Sequence, residues 1–195
     1  LIKVLSGAYQ QDAGRVELQG RRIAPRTPRE AQHLGISAVY QEVNLLPNLS
    51  VSQNIFLGRE PKRCGLIRWS EMNRRSALLL QRFNLEIDVT RTLDNYSIAV
   101  RQLIAIARAV DTSAQVLILD EPTASLDAGE TERLFGIVRQ LKSQGVAILF
   151  ITHFIDQVYA VADRISILRN GARVGTFETA GLPRPRLIEH MLGKE

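Results

Sequence analysis

The stretch VLILDEPTASLD, residues 116–127, decides the fold because it joins a wholly apolar strand to an abrupt acidic end. Four consecutive large aliphatic residues, Val116 to Leu119, are typical of an interior strand of a parallel sheet, whereas a surface strand alternates polar and apolar residues. Asp120 and Glu121 follow directly, and Pro122 ends the run. Adjacent carboxylates at the end of a buried strand are costly without a partner, so we expect a cation or strong donors beside them. The alternative is an ordinary strand that ends in an acidic turn.

Predicted strands and helices alternate on both sides of this stretch. Apolar and alternating runs predict strands at residues 36–40, 147–152, 164–169 and 173–178, and helical periodicity predicts helices at residues 51–57, 71–83, 98–110, 128–144, 154–162 and 186–192. This order predicts an α/β fold with a mainly parallel core sheet and antiparallel edge strands. We expect a single domain over residues 1–195, with an inserted helical subdomain at about residues 50–110 that contains a basic loop at 59–68.

Local turn signals predict three further features. Residues 14–20 alternate between two glycines, which predicts a short antiparallel strand. Asn170-Gly171 lies between two alternating segments, and this dipeptide strongly indicates a two-residue hairpin turn. Residues 1–5 are mainly apolar and precede Ser6-Gly7, which predicts the end of a helix.

The composition is that of an ordinary globular domain. The 195 residues carry a formal net charge of +5, and the arginines are scattered instead of forming the dense run of a nucleic-acid-binding arm. Cys64 is the single cysteine, which excludes an intrachain disulfide, and the three dispersed histidines match no zinc-ligand spacing. A reducing, cytosolic compartment is favoured. The sequence shows no signal-peptide pattern and no apolar run of membrane-spanning length, so we expect any membrane association to be peripheral.

Four candidate site residues come just after predicted buried strands: Gln41, the pair Asp120 and Glu121, and His153. Open α/β sheets bind ligands at the carboxyl edge of their strands, so this shared position favours a single site. Two of the residues have plainer explanations when each is taken alone. Gln41 is then an ordinary loop residue, and His153 is a structural hydrogen-bonding group.

Five short motifs resemble those of the ATP-binding cassette (ABC) family, in the family's order and spacing. They are a Q-loop at residues 40–42, a signature region at 97–102, a Walker B strand at 116–121, a D-loop at 125–127 and a switch histidine at His153. The resemblance covers nearly the whole chain. It implies an ABC-type nucleotide-binding domain that uses ATP and Mg²⁺.

The resemblance also implies a role for each residue at the predicted sheet edge. Asp120, together with Gln41, would bind magnesium, and Glu121 would orient or deprotonate the attacking water. His153 would contact the γ-phosphate. Because successive residues of extended backbone point to opposite sides, we expect one carboxylate to face the metal and its neighbour to face the water.

The signature region departs from the family pattern Leu-Ser-Gly-Gly-Gln and reads YSIAVRQ over residues 96–102. By resemblance, Ser97 and Gln102, together with Asp127 of the D-loop, would act at the nucleotide bound by an opposing cassette. The two residues that replace the glycines add bulk where backbone has to approach phosphate, which predicts one weakened composite site. The alternative for Ser97 is that it only caps its helix.

Residues 40–51 and 54–60 resemble the sugar-importer branch of the family. Residues 120–171, with residues 191–193, are similar to the first half of the tandem ATPase subunit of a galactofuranose importer. This implies an ATP-hydrolysing subunit that powers carbohydrate import from the cytoplasmic face of the bacterial inner membrane. The implied partners are a second cassette, a transmembrane permease and, indirectly, a periplasmic sugar-binding protein, with no nucleic acid. The transported sugar would not touch this chain.

Two other functions stay open at this point. The chain could be a non-catalytic cassette that acts as a dimerisation and docking module; the intact acids and His153 argue against this, and the missing phosphate-loop motif argues for it. The second alternative is an ABC ATPase that acts on nucleic acid. Such a protein would need a coiled-coil or zinc insertion, and the sequence shows neither.

We expect the 195-residue chain by itself to bind ATP poorly and to hydrolyse none. It contains no G-x-x-x-x-G-K-[ST] loop, whose backbone donors and lysine hold the β- and γ-phosphates. Residues 1–7 resemble the helix that directly follows this loop in the family, which implies a chain truncated just after it. The measurement is ATP turnover by the purified chain; turnover that Glu121→Gln abolishes would contradict the prediction.

Overall fold

The computed structural model describes residues 1–40, 44–112 and 114–193. Their helices and strands are, in chain order, α1 (Ile2–Leu5), β1 (Val16–Leu18), β2 (Arg21–Ile23), α2 (Pro28–His33), β3 (Ile36–Val39), α3 (Val51–Phe56), β4 (Lys62–Arg63), β5 (Leu66–Ile67), α4 (Trp69–Gln81), α5 (Ile98–Asp111), β6 (Val116–Asp120), α6 (Ala128–Ser143), β7 (Ala147–Ile151), α7 (Ile155–Val161), β8 (Arg164–Arg169), β9 (Ala172–Glu178) and α8 (Arg184–Leu192). Every predicted helix and strand is present, with ends shifted by a few residues.

The core is a parallel sheet in the order β3-β6-β7, with β6 in the centre. The register places Val39 opposite Leu119 and Asp120 opposite Ile151, so the carboxyl ends of the three strands share one edge. Residues 117–119 are 0 % exposed. These observations confirm the predicted α/β fold and the interior position of the strand that ends in acid.

The antiparallel strands pair with one another as β1-β2, β4-β5 and β8-β9, each as a separate two-stranded sheet. The hairpin β1-β2 packs beside the core sheet without joining its ladder. Residues from both, together with one from α2, form a buried apolar cluster of Ile23, Ala31, Ile36 and Ile118.

Helices α3, α4 and α5 come between β3 and β6 in the sequence, and the three helices contact one another. The prediction of a plain loop at residues 59–68 is wrong, because this segment contains the hairpin β4-β5. Cys64 and Gly65 form its turn with φ values of +51° and +80°, which is the left-handed pair that a two-residue hairpin turn requires. The hairpin could not be predicted from the sequence, because Cys-Gly is an unusual turn pair and strands of two residues are too short to show alternation of polar and apolar residues.

The chain divides into two compact units, residues 1–151 and 152–195. The second unit contains α7, β8, β9 and α8 around a small apolar core of Ile165, Ile167, Leu182 and Leu187. Asn170 and Gly171, with φ values of +50° and +79°, make the predicted hairpin turn. That residues 1–195 form a single domain, with a helical subdomain at about residues 50–110, stays a prediction. In the part of the chain that the structure describes, no helix has the length and apolarity needed to cross a bilayer.

Candidate active site

The two acids of the opening stretch lie at the carboxyl edge of the core sheet. Asp120 is the last residue of β6 and is half-buried, directly after three fully buried residues. Glu121 extends the contact with β7 by one residue, because its N–H donates to the carbonyl oxygen of Ile151 at 2.9 Å. The structure thus holds both acids at the edge where ligands bind in open α/β sheets.

Glu121 leaves the strand in the left-handed backbone region, with φ at +46°. The expectation of extended backbone at both acids is therefore wrong for Glu121, and a backbone turn, not the strand pleat, separates the two carboxylates. A non-glycine residue in this region costs about 1–3 kcal/mol and persists only where its surroundings enforce it. Here its N–H is bonded to Ile151, and its carbonyl oxygen accepts from the N–H of Ala124 at 3.3 Å. Such strain clusters at active sites.

Burial raises the pKa of the Asp120 carboxyl above its ordinary value of 3.8, and the neighbouring charge of Glu121 raises it further. Both causes disfavour the charged form of Asp120. A divalent cation beside the pair would offset both, because it attracts each carboxylate and replaces lost hydration.

The acid pair suits a cation that arrives with a phosphate ligand better than a resident metal. Among the described residues, no group of three or more His, Cys, Asp or Glu side chains could hold a metal ion. Mg²⁺ does not need such a group, because it is usually held by one or two carboxylates, several waters and substrate phosphates. One carboxylate, such as that of Asp120, would be enough for this mode of binding.

The signature region begins helix α5. Ser97 is its N-cap residue and is exposed, and its Oγ accepts from the N–H of Val100 at 3.4 Å. The predicted cap is confirmed. Gln102 lies one turn into the helix and is only 4 % exposed, so its side chain is part of the interior in this structure. The nucleotide contacts of both residues stay predictions.

Asp127 begins helix α6 in a capping box. Its Oδ1 accepts from the N–H of Glu130 at 2.7 Å, and Glu130 Oε2 accepts from the N–H of Asp127 at 3.0 Å. This reciprocal pair satisfies two N–H groups at the start of the helix. Asp127 therefore has a structural role as a helix cap. The contact with an opposing cassette that the resemblance implies stays a prediction.

Gln41 lies outside the described residues. The residue before it, Tyr40, donates from its hydroxyl to Ser6 Oγ at 2.9 Å. Ser6 is the C-cap residue of α1. This bond ties the end of β3 to the end of the first helix, which fixes the point where the predicted Q-loop begins.

His153 belongs to the second compact unit. It is exposed, and its ring lies against that of Phe154 with 4.1 Å between the ring centroids. The N–H of Phe154 donates to Thr152 Oγ1 at 3.1 Å, which shapes the turn before α7. The contact of His153 with a phosphate stays a prediction.

A parallel sheet with an acidic pair at its carboxyl edge, and a helical segment between its first two strands, defines an α/β domain whose candidate ligand site lies at the strand ends. The sequence model of the ABC transporter family matches residues 1–124, more than half of the chain. The chain belongs to this family.

Curated relatives with this sequence pattern are ATP-binding proteins of sugar importers. The galactofuranose transporter ATP-binding protein YtfR of Escherichia coli K12 is 54 % identical over 195 residues. The fructose import ATP-binding protein FruK of Bifidobacterium longum is 46 % identical, and the ribose import ATP-binding protein RbsA of Geobacillus kaustophilus is 41 % identical. Each match covers 100 % of this chain but only 39 %, 38 % and 40 % of the relative. The chain thus spans about two-fifths of the length of these relatives.

Solved structures of ATP-binding cassettes share the fold. MJ1267, an ATP-binding cassette of an ABC transporter solved in its ADP conformation, matches with a TM-score of 0.81 at 25 % identity, over 99 % of this chain and 82 % of that one. The cassette MJ0796 bound to ADP and Pi matches with a TM-score of 0.74 at 21 % identity, over 93 % and 80 % of the two chains, and shows the fold alone. The predicted fold class and family are confirmed.

Asp120→Asn should raise the free energy of unfolding at pH 7 by up to about 1 kcal/mol, a small gain because water screens a half-exposed carboxylate. The folded-state pKa of Asp120 is raised, so its charge destabilises the fold above that pKa and has no effect below the unfolded value near 3.8. Urea unfolding should therefore show the gain at pH 7 and none near pH 3. The exposed Asp12→Asn is the control and should change neither value; a less stable Asp120→Asn at pH 7 would contradict the prediction.

Proposed function

We propose that this chain is the first nucleotide-binding cassette of an ATP-hydrolysing subunit that powers carbohydrate import. The observation that carries the proposal is the acidic pair Asp120 and Glu121 at the carboxyl end of β6. Membership of the ABC transporter family and the 54 % identity to an importer's ATP-binding protein support it. The proposed activity is that of the full-length protein, because the chain spans 39 % of that relative.

Hydrolysis of ATP transfers the γ-phosphoryl group to water, which requires a positioned water and neutralisation of phosphate charge. In the proposed site Asp120, together with Gln41, holds Mg²⁺, and Glu121 accepts a hydrogen bond from the attacking water. His153 contacts the γ-phosphate. When bound, Mg²⁺ draws charge from the phosphate oxygens and helps to orient them.

Ser97, Gln102 and Asp127 are proposed to act toward the nucleotide of an opposing cassette. Ser97 supports this because it is exposed at the start of a helix, where backbone N–H groups and the helix dipole favour an anion. Gln102 would reach a nucleotide only after a local rearrangement, since its side chain is 4 % exposed.

The proposed partners are a second cassette, a transmembrane permease and, indirectly, a periplasmic sugar-binding protein. The subunit would lie on the cytoplasmic face of the bacterial inner membrane. Galactofuranose is the proposed cargo, because the galactofuranose relative is 54 % identical and the fructose and ribose relatives are 46 % and 41 % identical. The cargo would contact the permease and the binding protein, so the chain itself has no sugar-binding role in this proposal.

A non-catalytic docking module is the second candidate function. One sequence observation favours it: the signature region lacks both glycines of the family pattern. A module of this kind would still dimerise and bind a permease but would not turn over ATP.

In the full-length subunit, Glu121→Gln should lower kcat by about 10²- to 10⁴-fold, because glutamine keeps the shape of the side chain but cannot accept a proton. ATP binding, measured with a fluorescent nucleotide, should persist. Glu132→Gln is the matched control: Glu132 lies on α6, its side chain is 67 % exposed and it pairs with Arg139. We expect this control to keep the wild-type rate. A wild type without turnover would favour the docking module.

Ser97→Asp separates a nucleotide role of Ser97 from a pure cap, because aspartate caps helices as well as serine does. If Ser97 faces a bound γ-phosphate, the new carboxylate should lower kcat of the full-length subunit by about tenfold or more. The control is Thr27→Asp at the cap of α2, where Thr27 Oγ1 accepts from the N–H of Glu30 at 3.2 Å. Wild-type turnover in both variants would leave Ser97 with the cap alone.

A further inference from the structure

Arg101 connects the start of helix α5 with the backbone that leads into the helix. It comes four residues after the N-cap residue Ser97 and is half-buried. Its side chain turns back toward the start of the helix, which is the direction in which helical side chains lean. Nε donates to the carbonyl oxygen of Tyr96 at 2.9 Å, and Nη2 donates to that of Asp94 at 3.1 Å. The guanidinium group thus bridges two carbonyls directly before Ser97.

Tyr96, the residue before Ser97, is held at three points. Its N–H donates to the carbonyl oxygen of Leu93 at 3.1 Å, and its hydroxyl donates to that of Asp88 at 2.7 Å. The third point is its own carbonyl, which accepts from Arg101. Of these three bonds, the one from Arg101 has a charged donor, and such bonds are stronger than neutral ones.

The backbone after Ser97 is the first turn of a regular helix, with Ile98 and Ala99 in place of the two glycines. Because a helix is stiff, the direction of Ser97 depends on how α5 is joined to the segment before it. The cap bond from the N–H of Val100 to Ser97 Oγ is long, at 3.4 Å. The two bonds of Arg101 are shorter, and they join residues on both sides of Ser97.

We propose that Arg101 is a positioning residue that orients Ser97 toward the nucleotide of an opposing cassette. The inference rests on the proposed function, in which Ser97 acts at that nucleotide. Two guanidinium donors of Arg101 are used on the backbone, so its effect on turnover passes through Ser97. The competing role for Arg101 is a direct contact with phosphate.

Arg101→Met tests the proposal in the full-length subunit, because methionine keeps much of the apolar stem but has no donor. We expect kcat to fall about 10- to 100-fold, since small misplacements near a reacting centre have large effects. In a Ser97→Ala background the same change should lower kcat by less than about twofold. Residues that act as one unit have non-additive effects, and here the hydroxyl that Arg101 orients is already absent.

Arg59→Met is the matched control, because it also removes two guanidinium bonds. Arg59 Nη2 donates to the carbonyl oxygen of Ile55 at 2.9 Å, and Nη1 donates to Asp111 Oδ2 at 3.1 Å. Asp111 is the last residue of α5, so these bonds lie at the opposite end of the helix from Ser97. The control should lower Tm and keep kcat. Hydrogen exchange of the Val100 N–H should be faster in Arg101→Met and unchanged in Arg59→Met.

An unchanged kcat in Arg101→Met, or an equal loss in Arg59→Met, would overturn the inference. A full loss from Arg101→Met in the Ser97→Ala background would also overturn it, in favour of a direct contact with phosphate. If Arg101→Met does not fold, Arg101→Gln takes its place, because its shorter amide cannot bridge the two carbonyls and suits a half-buried position.

The proposed function is judged separately, by turnover of the wild type and its loss in Glu121→Gln. Turnover that Glu121→Gln abolishes and Arg101→Met leaves unchanged would contradict the role of Arg101 alone. A wild type without turnover would overturn both.

Discussion

Burial of the strand that ends in Asp120 and Glu121 is the constraint on which the rest of the structure depends. Residues 117–119 are fully buried between β3 and β7, so β6 cannot shift to carry Asp120 and Glu121 into open water. The pKa of Asp120 is raised as a result. The fold keeps the acids at the one edge where all three parallel strands end, which is where a cation with a phosphate ligand would relieve the repulsion.

Glu121 has a left-handed backbone at the same edge of the sheet. An extended residue at this position would continue the strand, whereas φ at +46° turns the chain away while its N–H stays bonded to β7. The turn gives the second carboxylate a direction that the pleat of β6 would not give. The bonds to Ile151 and Ala124 offset the cost of the unfavourable backbone, so the turn after β6 is held by contacts within the protein.

The features that sequence predicted correctly are those with a local cause. Four aliphatic residues before Asp120, the Asn-Gly turn and the serine before α5 each carry their signal within a few positions. The features it missed depend on contacts that no local pattern encodes. Glu121 is left-handed where its N–H is bonded to β7, and that bond joins residues 30 positions apart in the sequence.

A helix cap and a functional contact are not exclusive at the candidate signature and D-loop residues. Ser97 caps α5 by accepting one bond at Oγ, a role that does not need its hydroxyl hydrogen. Asp127 caps α6 with Oδ1, which leaves the acceptor capacity of Oδ2 outside that bond. The N–H groups of Val100 and Glu130 already donate to the cap side chains, so the caps themselves provide no phosphate site. A contact with an opposing nucleotide would use the side-chain atoms that capping leaves over, and the caps therefore do not argue against it.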